Sequence, residues 1–255
     1  MNNEIASFKD EKFISDQYND YLTQLRDYID KSSEPNIIDK FENFSKFSTR
    51  TSLMRFIIKY EIFKKILNIH GSIFEFGVNF GGGLMTFARL SEILEPYNHQ
   101  RKIIGFDSFS GFPSISDKEN KDNSLCYEGS LAVDSYDDIQ QCIRLFNINR
   151  PMNHISKVEL IKGDICETLP KYINENPHTM ASLVILDTDL YEPTKIILDN
   201  MMKRIVKGGI ILFDQLNIKA WSGESVAVIE EFKNLNNLKI ERFPFTAISY
   251  AVIGR

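Results

Sequence analysis

The sequence predicts an α/β fold: a doubly wound, mostly parallel sheet with a C-terminal antiparallel hairpin, preceded by N-terminal helices. Three observations predict it. Beyond residue 72, short apolar runs alternate with polar or glycine-rich turns and helix-like segments, the pattern of βα units. The runs are apolar throughout, as strands covered on both faces of a parallel sheet must be. The last two β-like stretches, 238–243 and 247–253, have only Pro244-Phe245-Thr246 between them, too short a link for a parallel crossover.

From Phe13 to Ile29, Tyr18, Tyr21, Leu22, Leu25, Tyr28 and Ile29 recur at helical spacing and mark an amphipathic helix. Glu34-Pro35-Asn36 breaks it. A second helix is expected from Thr51 or Ser52, where a hydroxyl caps free N–H groups, with Leu53, Phe56, Ile57, Tyr60, Phe63, Ile66 and Leu67 as its apolar face. His70-Gly71 ends it. Residues 1–50 are thus read as a helical extension and 51–255 as the main domain. The extension's stripes suit core packing or a subunit contact, so a homo-oligomer is expected, with Tyr18, Tyr21 and Tyr28 as lid or interface candidates.

Strands are expected at Ile73–Phe76, Lys102–Phe106, Val158–Lys162, Leu183–Leu186 and Ile210–Phe213, with the final hairpin strand running to the chain's end. Between the second and third strands, residues 108–135 are polar and aperiodic. A segment so long inside a compact domain is a lid or a mobile loop, and its position places it over the ligand crevice.

Composition excludes several classes. With 43% hydrophobic and 25% charged residues the chain resembles ordinary globular proteins. A net charge of -5 with scattered Lys and Arg offers no stripe for nucleic-acid phosphates. Cys126, Cys142 and Cys166 are too few and too widely spaced for a disulfide framework or a zinc site, and a reducing cytoplasm is expected. The opening MNNEIASFKDEK is too charged for a signal peptide, and no apolar run approaches the ~20 residues of a membrane span. His70, His99, His154 and His178 fall in loops or at segment ends and are read as surface residues.

Ligand chemistry gathers at the strand ends. After the first strand comes Glu75-Phe76-Gly77-Val78-Asn79-Phe80-Gly81-Gly82-Gly83, where glycines let the backbone approach a ligand and the next helix offers N–H groups to an anion. Asp107 ends the second strand, where a carboxylate accepts hydrogen bonds from a ribose diol. Asp164 ends the third and is placed to reach an adenine amino group. Helix capping is the alternative reading of Asp164 and Glu75. The expected cofactor is S-adenosylmethionine, with its methionine carboxylate at the helix start; the turn lacks the GxGxxG spacing that admits the pyrophosphate of NAD.

The fourth strand ends in Asp187-Thr188-Asp189 and the fifth in Asp214-Gln215. Residues two apart on an extended strand share a face, so Asp187 and Asp189 are expected to look together into the crevice, joined by Asp214. Converging carboxylates repel, and a hard cation such as magnesium relieves that while lowering the pKa of a substrate hydroxyl. Trp221 and Glu224 follow in a stretch that could line a substrate pocket.

The stretches EFGVNFGGG, GFDSFSGFP, KGDICETLP, LDTDLYEPT, KGGIILFDQLN and WSGES together resemble the macrocin O-methyltransferase family of magnesium-dependent sugar methyltransferases, over roughly residues 50–255. The resemblance implies a Rossmann-like methyltransferase sheet, cofactor binding by Glu75, Gly77, Asp107, Ser108 and Asp164, metal binding by Asp187 and Asp214, and Asp189 as general base. One position departs from the pattern. Where the family usually has a second acid after Asp214, this chain has Gln215, whose amide oxygen can coordinate a metal but carries no charge. The expected reaction is O-methylation of a sugar hydroxyl. The rival readings are a catechol-type or other small-molecule O-methyltransferase and a non-catalytic cofactor-binding partner protein.

Overall fold

The computed structural model describes residues 16–254; residues 13–15 of the expected first helix and the stretch MNNEIASFKDEK lie outside the described residues. The chain divides into two compact units between Ile57 and Ile58. The first holds α1 (Asp16–Lys31), α2 (Ile37–Glu42) and the start of α3 (Arg50–Ile66), which runs through the division. Sequence reading missed α2. Asn36, taken as part of a breaker, is also its N-cap, and its side chain accepts the N–H groups of Ile38 at 2.9 Å and Asp39 at 3.1 Å. The cap of α3 is Thr49 rather than Thr51 or Ser52: its Oγ1 accepts the Ser52 N–H at 3.1 Å.

The second unit is a seven-stranded sheet with β1 (Ser72–Phe76), β2 (Ile103–Asp107), β3 (Val158–Lys162), β4 (Ala181–Leu186), β5 (Ile205–Phe213), β6 (Ile240–Arg242) and β7 (Ser249–Val252). Its order is β3-β2-β1-β4-β5-β7-β6, and β7 runs opposite to the other six strands. The helices α4 (Gly82–Leu94), α5 (Tyr136–Asn149), α6 (Ile165–Glu175), α7 (Tyr191–Met201) and α8 (Ser222–Phe232) complete the doubly wound arrangement. Several strand ends differ from expectation, the start of β5 most. β5 begins at Ile205, because Lys207-Gly208-Gly209 interrupts the apolar run without ending the pairing; the register shifts there, Ala181 opposing Ile205 and Leu183 opposing Ile210. β7 stops at Val252, although Ile253 still exchanges backbone hydrogen bonds with Gly208 and Gly209 at 2.8 Å.

Period-two alternation divides the sheet into two faces. Phe74, Phe76, Phe106, Leu186 and Phe213 belong to one core with Leu169 of α6, Ile197 of α7 and Val228 of α8. Phe76 stacks on Phe106 at 5.0 Å, and Tyr172 meets Phe106 edge-on at 5.5 Å. Each fully buried ring contributes about 1.5–3 kcal/mol of transfer free energy. On the opposite face Gly105 leaves room for α4: a Cβ there would come within 2.8 Å of Val78 and 2.9 Å of Leu84. Among the described residues no helix is long and apolar enough to cross a membrane. The three cysteines are free, and all four histidines are exposed.

One buried cation ties the amino edge of this sheet together. Arg101 is 3% exposed and donates from Nε to Glu95 at 2.7 Å, to the Gly71 carbonyl at 3.0 Å, to Ser182 Oγ at 2.5 Å, and to the carbonyls of Ile66 at 3.1 Å and Ile69 at 3.0 Å. It therefore satisfies the open carbonyls at the end of α3 while neutralising a buried acid. Arg101→Ala should lower the unfolding free energy by about 3–5 kcal/mol, since it strands Glu95 and several carbonyls. Arg101→Lys should recover little, because an ammonium cannot span the same fork; near-wild-type denaturant midpoints for both would refute this.

Candidate active site

The hydrogen-bond ladder continues one residue past several strand ends. Gly77 N–H donates to Phe106 O at 3.0 Å, Asp187 N–H to Phe76 O at 3.0 Å, Asp214 N–H to Leu186 O at 3.1 Å, and Gly163 N–H to Asp107 O at 2.9 Å. These residues therefore stand in a row at the carboxyl edge of the sheet, where open α/β folds bind ligands. Gly77 and Asp187 open onto a pocket, whereas Gly163 and Asp214 stand just outside its lining. Its roof comes from the 108–135 segment, through Gly111, Phe112, Ser130 and Leu131. That segment is fastened. Asn120 and Asn123 donate to the carbonyls of Lys219 and Ala220 at 3.1 and 3.0 Å, and Phe112 meets Trp221 edge-on at 5.8 Å. Trp221 thus braces the roof and does not line the pocket.

At one end of the pocket stand Gly77, Asp107, Ser108 and Asp164. Gly77 has φ +91°, and a Cβ on it would lie 1.9 Å from the Asp187 carbonyl oxygen, so only glycine fits between β1 and β4 here. Asp107 organises the turn: Oδ2 accepts the N–H groups of Val78 at 2.7 Å and Asn79 at 2.9 Å, and Oδ1 that of Phe109 at 2.7 Å. Ser108 Oγ donates to the Gly111 carbonyl at 2.6 Å. Asp164 both lines the pocket and caps α6, accepting the Cys166 N–H at 2.8 Å. Glu75 stands apart from them. It is buried behind the pocket wall beneath α4, with Oε1 1.7 Å from where a Gly83 Cβ would be, and Oε2 has no partner. Burial pushes its carboxyl up to about 8, with Lys59 opposing the rise and Asp107 adding to it.

At the other end Asp187 and Asp189 line the pocket, as expected, but not by strand alternation. β4 has already ended, and Asp189 sits in the left-handed region at φ +63°, so a turn delivers the second carboxylate. Gln215 and Asp214 stand outside the lining, and Gln215 Nε2 donates to Asp189 Oδ1 at 2.5 Å. Glu224, which sequence reading only associated with a pocket wall, is wholly buried and accepts the Gln215 N–H at 3.4 Å.

The electrostatics are one-sided. Burial, then Asp214, then Glu119 lift Asp189 to about 7. Asp187 has an exposed surface on the pocket, yet the protein packed around its carboxyl, with Asp214, Asp189, Glu75 and Glu224 beside it, holds that carboxyl well above the usual range. Burial and Asp214 do the same to Glu224. No Lys, Arg or His lines the pocket among the described residues, so its acidic walls suit a cationic ligand. The donor chemistry fits a hard cation: Asp187 and Asp214 supply carboxylate oxygens, and the amide oxygen of Gln215 is buried without a partner. Their present positions form no ready ligand shell, for among the described residues no group of three or more His, Cys, Asp or Glu is arranged to hold a metal ion.

Comparison with known proteins agrees with this geometry. The macrocin-O-methyltransferase (TylF) family matches residues 53–251. The calicheamicin methyltransferase CalS11 is 30% identical in a crystal structure that covers 100% of both chains with a TM-score of 0.90. An apo structure of CalS11, described as a TDP-rhamnose 3'-O-methyltransferase, is 28% identical and covers 97% of this chain and 100% of that one, with a TM-score of 0.81. The O-methyltransferase NovP, 20% identical over 79% of this chain and 80% of its own, shares the fold with a TM-score of 0.59. Curated protein sequences give no significant match.

Glu75 generates a pH prediction. A carboxyl that titrates near 4.5 when unfolded and at about 8 when folded keeps its proton only in the folded state between those values, so stability falls as pH rises through that window. Glu75→Gln removes this loss. In thermal unfolding of the ligand-free protein, the variant should gain several degrees on wild type between about pH 5 and about pH 8; parallel curves would show that Glu75 is ionised in the fold.

Proposed function

As a member of the macrocin-O-methyltransferase family the chain is an O-methyltransferase, and we propose that it moves the methyl group of S-adenosylmethionine to a sugar hydroxyl. The observation that carries this reading is a single pocket that joins Gly77, Asp107 and Asp164 at one end to Asp187 and Asp189 at the other, with no basic side chain on its walls. A sugar acceptor, on a nucleotide, a glycan or a glycosylated product, is supported by likeness to an enzyme described as acting on TDP-rhamnose.

The bound cofactor would supply an electrophilic methyl group on a sulfonium. Asp107 would accept from the ribose diol with the Oδ1 lone pair its backbone contacts leave free, Asp164 would meet the adenine amino group, and Gly77 and Ser108 would shape the turn between them. Glu75 would act from behind the wall, setting the start of α4, whose N–H groups face an anion. A magnesium ion held by Asp187, Asp214 and the Gln215 amide oxygen would supply Lewis acidity to the acceptor hydroxyl.

Asp189 would take the hydroxyl proton. A carboxyl raised to about 7 is well matched to that task near neutral pH, and the Gln215 amide fixes Oδ1. The remaining requirement is in-line placement of the oxygen, which the fastened roof favours by excluding water.

Asp189→Asn should lower kcat about 10²–10⁴-fold and leave calorimetric affinity for S-adenosylhomocysteine nearly unchanged, whereas Asp107→Ala should abolish that binding. Wild-type turnover by Asp189→Asn would refute the base assignment, and a catechol methylated faster than any sugar would refute the acceptor class. Gln215→Glu should tighten magnesium binding by on the order of tenfold, because ligand charge sets affinity at such sites; unchanged magnesium titrations would remove Gln215 from the metal site.

A further inference from the structure

Glu119, in the middle of the roof segment, is a charged residue that the mechanism above leaves unused. It is 6% exposed. Its Oε1 accepts the backbone N–H of Tyr191 at 2.6 Å and the Ser116 hydroxyl at 3.3 Å, and Oε2 is buried without a partner. Tyr191 is the first residue of α7, and Leu190 at the capping position offers no side-chain hydrogen bond. A helix start that lacks a local cap is thus capped from far along the chain. Gly223 is fitted to the arrangement: a Cβ there would stand 2.4 Å from Glu119 Oε2 and 2.4 Å from the Tyr191 nitrogen. The adjacent Lys118 lies 4.1 Å from the centre of the Tyr191 ring and pairs with Glu230, which also accepts the Tyr191 hydroxyl proton at 2.5 Å.

Two residues before Tyr191 is Asp189, in its left-handed turn, with the Leu190 N–H bonded to Thr188 O at 2.7 Å. β4 fixes one side of that turn, and the first turn of α7 fixes the other. A serine or aspartate at position 190 would cap α7 regardless of the roof. Capping from the roof instead makes the start of α7, and with it the seat of Asp189, conditional on roof closure.

We infer that Glu119 is a positioning residue: by capping α7 from the roof segment it couples closure over the pocket to the placement of Asp189. The inference rests on the reading of Asp189 as the base. It can be tested with Glu119→Ala and with Glu119→Gln, which keeps an acceptor oxygen and the shape. Asp117→Ala on the same segment serves as an exposed control. Amide hydrogen exchange at Tyr191 is read beside kcat, acceptor KM and S-adenosylhomocysteine affinity.

Glu119→Ala should speed Tyr191 exchange by about tenfold or more and lower kcat by about tenfold, while acceptor KM moves less than kcat. Glu119→Gln should restore both readouts to within about threefold of wild type. Unchanged Tyr191 exchange in Glu119→Ala overturns the cap whatever the activity. Faster exchange with wild-type kcat overturns the coupling, and so does a Glu119→Gln variant as impaired as Glu119→Ala. Wild-type kcat in Asp189→Asn would overturn the base reading, and the coupling with it, while the exchange data identify that failure as one of function and not of the cap.

Discussion

Buried negative charge at the carboxyl edge of the sheet is the constraint around which this structure is arranged. Asp187, Asp189 and Glu224 are raised first by burial and next by Asp214, and Glu119 adds to the field on Asp189. Such a group stays ionised only if something compensates it; otherwise it holds a proton. Protons compensate in the chain alone, and a sulfonium, an ammonium or a divalent cation would do so in a complex. The preference of the pocket for positive ligands thus follows from desolvation of its walls more than from any single contact. The amino edge has the opposite sign. Arg101 is buried there, and burial lowers Lys157 to about 8 while its ammonium donates to the Asn98 carbonyl at 2.6 Å.

Holding those acids in register requires backbone approaches that side chains would prevent. Gly77 brings β1 against the Asp187 carbonyl, Gly83 accommodates the Glu75 carboxyl, and Gly223 admits Glu119 to the start of α7. In each case the glycine lies beside a carboxylate or the backbone that carries one. Conformational freedom is needed at Gly77, with its positive φ, whereas at Gly83 and Gly223 the missing Cβ matters. The glycines therefore set distances between charges as well as permitting turns.

Much of this was legible in the sequence, for stateable reasons. Strands buried on both faces read as apolar runs, and the acids and glycines following them fall at strand ends by counting alone, which is why Gly77, Asp107, Asp164, Asp187 and Asp189 were found on one pocket. The failures share a cause as well. The five opening residues of β5 and the helix α2 are held by pairing and by capping, not by periodic apolar residues, so a pattern search passes over them. Asp189 reached the pocket by a left-handed turn that no spacing rule contains. Arg101 and Glu119 depend on partners far along the chain: Arg101 on Ser182, Glu119 on the Tyr191 N–H. Nothing local in the sequence distinguishes either from a surface charge.

Gln215 shows how the same charge constraint bears on the one departure from the family pattern. An acid at this position would add a further buried negative charge beside Asp189 and Glu224 and would need a bound cation to be tolerated. The amide avoids that. Its nitrogen donates to Asp189, which fixes the carboxylate and favours its ionised form, and its oxygen is left facing inward without a partner. On the proposed metal site, the amide would lower metal affinity while sparing the metal-free site a buried charge, and its hydrogen bond would take on part of the task of holding Asp189. Under the proposed mechanism, with Gln215 on one side and the α7 cap on the other, Asp189 would be held by the protein itself, and a metal here would serve acidity at the substrate hydroxyl more than assembly of the base.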